Sequence, residues 1–224
     1  MRRTQGSELE RGYNEKMPSE VGMKENVCGV ILAGGKSLRM GREKALLQIH
    51  GLPMVAHLAQ LLGSVTDEIV VSRSESLPAL ESFGLAFIPD LFPGQGPLAG
   101  LHAALMHTHR PLVLLLACDM PFLHAALLRG LIDASPGFDA VVPQTSDGRI
   151  HPLCAVYRRT CAGVAGDRLV RGENKMISFL EDPTLNVRRV GPEDGFFVPS
   201  DLANLNSPKD LEDLLRNGNR GCQS

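Results

Sequence analysis

The 224-residue chain predicts an α/β domain, a doubly wound, mostly parallel sheet with helices on both faces and one antiparallel strand. Three observations lead there. Apolar strand-like runs alternate with segments of helical apolar spacing. "PLVLLLACD" (111–119) is apolar almost throughout, as a strand buried on both faces in the middle of a parallel sheet must be. "SDGR" (146–149) is a tight-turn sequence ahead of "IHPLCAVYR" (150–158), so the chain doubles back there and supplies the antiparallel strand.

The elements follow in order. "VCGVILA" (27–33) is a strand, "MVAHLAQLLGSV" (54–65) has helical spacing, "DEIVVSRS" (67–74) is a strand and "PLAGLHAALMHTH" (97–109) a helix. After the central strand, "PFLHAALLRGLIDA" (121–134) reads as a helix, "DAVVPQT" (139–145) and "LNVRRV" (185–190) as strands. "NSPKDLEDLLRN" (206–217) reads as a helix with Ser207 at the N-cap, Pro208 in the first turn and Asp210 three residues after the cap. Residues 1–26 are polar, mixed in charge and without the apolar middle of a signal peptide. They are expected to be a disordered N-terminal extension, with Met17 or Met23 as alternative starts. A single domain is expected over 27–217 and a flexible tail over 218–224.

Composition removes several function classes. Lys+Arg number 23 against 25 Asp+Glu, a net charge of -2, so there is no global electrostatic case for nucleic acid or an anionic membrane as partner. The longest apolar run (111–128) contains Asp119 and two prolines and cannot serve as an uninterrupted membrane span. Cys28, Cys118, Cys154, Cys161 and Cys222 are scattered, odd in number and without a C-x-x-C pair. Neither a disulfide framework nor a zinc site is suggested, and a reduced cytoplasm is the expected compartment.

Candidate functional residues gather after the strands, where open α/β sheets bind ligands. "AGGKSLRMGREK" follows the first strand, "SRS" the second, "PD" another and "CDMP" the central one. Gly34 and Gly35 leave backbone N–H groups uncovered for phosphate oxygens, and Arg39 and Lys44 supply local positive charge. The loop is not a Walker A motif, because the first glycine of that pattern would fall at position 30, which is Val30.

"LAGGKSLRMGREKALLQIHGLPM" (32–54) resembles the signature of nucleotidyltransferases that activate a phosphorylated acceptor with a nucleoside triphosphate. "GPLAGL", "CDMP", "HPL" and "NLNSPKDL" then occur in the order found in molybdenum cofactor guanylyltransferases, the MobA-like family. The likeness runs from about Val27 to Leu215. Arg42 and Glu43 depart from the Gly and Asp frequent in the family, and Ser207 stands for Thr.

The resemblance implies a Rossmann-like nucleotidyltransferase fold and transfer of GMP from GTP to molybdenum-molybdopterin. It assigns nucleotide contacts to Leu32, Ala33, Gly34, Gly35, Lys44, Ser72 (or its neighbour Arg73), Asp90 and Asp119. Arg39, Lys44 and Asp119 are the catalytic candidates, Asp119 also holding Mg²⁺, and His151, Asn204 and Asn206 face the acceptor. Transient contact with molybdoenzymes or other cofactor-maturation proteins is implied as well.

Plainer readings stand beside these. Asp119 suits a helix cap before Pro121, Asp90 a turn, and His151 a strand-start histidine satisfied by backbone. His102, His107 and His109 are expected to be surface or packing residues, Cys118 a buried small residue and Lys36 solvated. A cytidylyltransferase for molybdopterin or another small phosphorylated acceptor would share every phosphate contact. A non-catalytic nucleotide-binding or chaperone module is the reading from another class.

Overall fold

The computed structural model describes residues 24–34, 44–49, 51–73, 83–205 and 210. β1 (Val27–Leu32) is followed by a small hairpin of β2 (Gln48–Ile49) and β3 (Leu52–Pro53), turned at Gly51, whose φ of 82° suits glycine. Then come α1 (Met54–Leu62), β4 (Glu68–Arg73), β5 (Ala86–Pro89), α2 (Pro97–His107), β6 (Leu112–Ala117) and α3 (Ala125–Asp133). β7 (Ala140–Pro143), β8 (Cys154–Arg158), α4 (Cys161–Val170), α5 (Met176–Leu180) and β9 (Val187–Val190) complete the described elements.

Seven strands form one sheet in the order β5-β4-β1-β6-β8-β7-β9. β1 pairs in parallel with β4 and β6, β4 with β5, and β7 with β9, while β8 runs antiparallel to both β6 and β7. Every strand of this sheet but β8 therefore points its carboxyl end toward the same edge. The expected antiparallel element is β8, which enters the sheet between β6 and β7 after a turn at Gly148 (φ 84°).

Alternate residues along the central strands enter two separate cores, as a two-residue period requires. Ile31, Leu114 and Leu116 meet Leu58 and Leu62 of α1 and Leu127 and Leu131 of α3 on one face. Val30, Val113 and Leu115 meet Leu98, Leu101 and Leu105 of α2, Leu169 of α4 and Phe179 of α5 on the other. Leu114 and Leu115 are both fully buried, and each such side chain contributes about 1.5–3 kcal/mol by leaving water.

Two elements depart from the apolar pattern. α3 begins at Ala125 rather than Pro121, because its N-cap is His124, whose Nδ1 accepts the Leu127 N–H at 3.3 Å. The cap role open to Asp119 is thus filled elsewhere. α4 was not anticipated, since Gly163 and Gly166 depress its helical propensity. A Cβ on Gly166 would lie 3.0 Å from His102 Nε2, so the glycine lets α4 approach α2 closely. His102 is accordingly a buried packing residue, in edge contact with the Phe92 ring at 5.3 Å. The helix expected over 206–217 lies outside the described residues apart from Asp210. Among the described residues no helix is long and apolar enough to cross a membrane.

Candidate functional site at the carboxyl edge of the sheet

Strand register brings the predicted motifs together. Leu32 of β1 stands opposite Ser72 of β4 and Ala117 of β6, and Ser72 stands opposite Ile88 of β5. The next residues leave the sheet side by side: Ala33 and Gly34, Arg73, Asp90, and Cys118 with Asp119. Two ladder bonds extend past the strands, Ala33 N–H to the Ser72 carbonyl at 3.0 Å and Cys118 N–H to the Leu32 carbonyl at 3.1 Å. Gly34 is exposed, and among the described residues a Cβ there would meet no atom within 4 Å. Packing does not demand that glycine. Open backbone suits the approach of a ligand.

Ser72 is buried, and its hydroxyl donates to Asp90 Oδ1 at 3.2 Å, with the Gly100 carbonyl a second acceptor at 3.4 Å. Burial raises the Asp90 carboxyl above the ordinary carboxylate range, and the Ser72 bond partly offsets this. Gly100 permits the contact: a Cβ there would lie 2.6 Å from Leu32 Cδ2 and 2.9 Å from Ser72 Oγ. Arg73 Nη1 donates to the Ala33 carbonyl at 3.1 Å, which sets a guanidinium beside the first loop. The "SRS" motif pointed to this place but could not say that serine and arginine face different partners. α2 starts here too, entered through Gly96 (φ 74°) with Pro97 in its first turn, so its positive dipole end faces the same edge.

The β6 side is assembled from more distant chain. Asp119 is half-buried at the end of the central strand, and its carbonyl accepts the Leu205 N–H at 2.7 Å. That bond brings the half-buried Asn204 beside the "CDMP" turn. Cys118 is buried, as expected. His151 lies just before β8, at the same edge, and is also buried. Its backbone is satisfied, with N–H to the Pro143 carbonyl at 2.9 Å and carbonyl accepting the Cys154 N–H at 3.2 Å. Its imidazole Nε2 finds no hydrogen-bond partner among the described residues. Burial, aided by the Arg149 charge, holds its pKa below the usual histidine value. The backbone-satisfied reading is therefore right for the main chain and leaves the ring unexplained.

Gly35, Arg39 and Asn206 lie outside the described residues, as does the Lys44 side chain, although the Lys44 backbone opens a single 3-10 turn, Lys44–Leu46. His124 and Asp201, which meet at 3.0 Å beside the Asp119 turn, had no sequence signal. Among the described residues no group of three or more His, Cys, Asp or Glu could hold a metal ion.

The family model for the MobA-like NTP transferase domain matches residues 29–187, more than half of the chain. A protein of Pelotomaculum thermopropionicum named "Probable molybdenum cofactor guanylyltransferase" is 38% identical over 187 residues, covering 82% of this chain and 89% of its own. A Yersinia pestis protein named "Molybdenum cofactor guanylyltransferase" is 32% identical over 202 residues, covering 89% of this chain and all of its own. The crystal structure of molybdopterin-guanine dinucleotide biosynthesis protein A from Archaeoglobus fulgidus superposes with a TM-score of 0.73 at 26% identity, over 86% of this chain and 98% of that one. A CTP-bound CMP:2-keto-3-deoxy-manno-octonic acid synthetase shares the fold alone, at 16% identity and a TM-score of 0.69 over 88% of this chain and 99% of its own. With its motifs gathered on one sheet edge and this match over most of its length, the chain belongs to the MobA-like NTP transferase family.

Proposed function

We propose that this chain transfers GMP from GTP to the phosphate of molybdenum-molybdopterin, giving the guanine dinucleotide form of the cofactor and releasing pyrophosphate. The observation that carries the reading is the meeting of Gly34, Ser72, Asp90 and Asp119 on one sheet edge in a chain whose relatives bear guanylyltransferase names. An oxygen of the acceptor phosphate attacks the α-phosphorus of GTP in line. The new P–O bond forms as the bond from α-phosphorus to the bridging oxygen breaks, and that electron pair leaves with pyrophosphate.

Both reactants are anions, so charge must be neutralised first. The backbone of Leu32, Ala33, Gly34 and Gly35 receives the triphosphate, and Arg39 and Lys44 meet its charge. Ser72 and Asp90 hold the nucleoside end, their mutual bond keeping the carboxylate directed. His151, Asn204 and Asn206 receive the acceptor. Asp119 would hold Mg²⁺, and its single carboxylate fits a hard ion that takes most of its remaining oxygens from phosphates and water. When bound, that ion supplies neutralisation of the triphosphate.

We assign the reaction to the cytoplasm, a reading supported by the buried Cys28, Cys118, Cys154 and Cys161, none of which is in a disulfide among the described residues. We also propose that the product passes by transient contact to molybdoenzymes or other maturation proteins. The test is pyrophosphate release with each of the four nucleoside triphosphates, with and without molybdopterin. GTP is expected to be preferred over CTP by at least about tenfold, since acceptors facing guanine's N–H edge would be left unpaired by cytosine at about 1–3 kcal/mol per group. Equal or faster release with CTP would promote the cytidylyltransferase reading. No release with any nucleotide would point to the non-catalytic module.

A further inference from the structure

His124 and Asp201 are held together by a chain of directional bonds at the β6 end of the edge. His124 Nδ1 accepts the Leu127 N–H at 3.3 Å as the N-cap of α3. That use of Nδ1 assigns the ring proton to Nε2, which donates to Asp201 Oδ2 at 3.0 Å. The same oxygen accepts the Val198 N–H at 2.8 Å and so closes the short turn Pro199–Leu202. The Asp201 side chain is 16% exposed and that of His124 43%, so the carboxylate end of the tie is the buried one. Leu205 then donates its N–H to the Asp119 carbonyl at 2.7 Å.

Asn204 thus lies between two anchors on one loop. Asp201 fixes the chain before it to His124, and Leu205 fixes the chain after it to Asp119. Apolar burial supports both: Phe197, Leu202 and Leu205 share a core with Met120 and Leu123. Burial is nondirectional, however, and resists a small slide or rotation of the 199–205 segment less than bonds of fixed geometry do.

We propose that His124 and Asp201 are positioning residues that set the acceptor subsite at a fixed distance from Asp119. This rests on the guanylyltransferase reading for what Asn204 binds. In-line transfer needs the acceptor oxygen and the α-phosphorus aligned, and a displacement of about 1 Å can lower a rate about 100-fold. Neither side chain touches the reacting atoms in this assignment. Their effect passes through Asn204 and Asp119.

The test compares Asp201→Ala, Asp201→Asn, His124→Asn and the double variant His124→Asn/Asp201→Ala. Asparagine at 124 keeps a good N-cap but is too short to reach Asp201, which separates the tie from the cap. Asp201→Ala and His124→Asn are each expected to raise KM for molybdopterin and lower kcat about tenfold, with KM for GTP changed less than twofold. The double variant should match Asp201→Ala, because that change already removes the contact to His124 as well as the Val198 bond. Asp201→Asn keeps an accepting oxygen and should stay within about twofold of wild type. A common rise in both KM values, additive losses in the double variant, or unchanged kinetics would overturn the tie. Amide exchange at Leu205 should accelerate at least about tenfold in His124→Asn, whatever substrate the enzyme uses. Unchanged exchange refutes the tie alone, whereas fast exchange in a protein that does not use GTP refutes only the guanylyltransferase reading.

Discussion

At the β5–β4–β1 end of the edge, Leu32, Ser72 and Ile88 stand in parallel register, and the residues just after them become neighbours without further arrangement. At the β6–β9 end, Asp119 meets Leu205, and His124 meets Asp201, across most of the C-terminal half of the chain. The first region inherits its geometry from strand pairing. The second depends on an antiparallel insertion and on a returning segment held by side chains. The difference implies separable failure: damage near Ser72 should fall on the nucleotide, and damage near Asp201 on the acceptor.

The most severe test lies at the junction between the two regions. Asp119→Asn should lower turnover by about three orders of magnitude with melting temperature changed by less than about 2 °C, since the amide keeps the shape and loses the charge that recruits Mg²⁺. Turnover close to wild type in the purified variant would remove Asp119 from the metal role. Lys44→Ala is expected to lower kcat about tenfold as well as weaken GTP, because charge grows on the leaving pyrophosphate in the transition state. A rise confined to KM would make Lys44 a passive binder.

A pair of helical glycines separates the regions more finely. In Gly100→Ala the new methyl meets Leu32 and Ser72, and in Gly130→Ala it lands 2.3 Å from the Phe196 ring, at the start of the returning segment. Overpacking of this kind costs about 1–3 kcal/mol, more than the roughly 1 kcal/mol that alanine gains in helix propensity. Each variant should lose roughly 2–8 °C in melting temperature. Gly100→Ala should raise KM for GTP several-fold and Gly130→Ala that for molybdopterin. If both raised the same KM, the two regions would not be functionally separate.

The smallest expected effect is on pH. His102 in α2 and His151 before β8 are both buried, and burial lowers the pKa of each from 6.5. As pH falls below that value the unfolded chain takes up protons that the folded chain still refuses. The stability is therefore complete above about pH 7 and declines as pH falls below it, by at most about 1.4 kcal/mol per pH unit for each histidine. His102→Leu or His151→Gln should each flatten that decline in chemical unfolding. A slope unchanged in both variants would assign it to other groups.

Much of the nucleotide side was legible because each motif is local: a strand, then a glycine, serine or carboxylate at its end. That pattern marks "SRS", "PD" and "CDMP", the family resemblance assigns Ser72, Asp90 and Asp119 within them, and the Ser72–Asp90 bond joins two of the three. Arg73 was offered only as Ser72's alternative, and its bond to the Ala33 carbonyl depends on how β4 lies against β1. On the acceptor side the "NLN" segment could be named but not located. The Asp119–Leu205 contact that seats it involves backbone groups, which carry no residue signature.

The alternation of strands and helices, the double burial of the central strand, the reversal at "SDGR" and the edge on which chemistry would gather are all readable from residue order. These follow from period, apolar content and turn residues, all short-range properties. Long-range packing sets the rest: β8 enters between β6 and β7, His124 rather than Asp119 caps α3, Gly100, Gly130 and Gly166 sit at close approaches, and Asp201 reaches His124. Each of these depends on which distant segments pack together, and contacts between distant segments leave no periodic trace in either one.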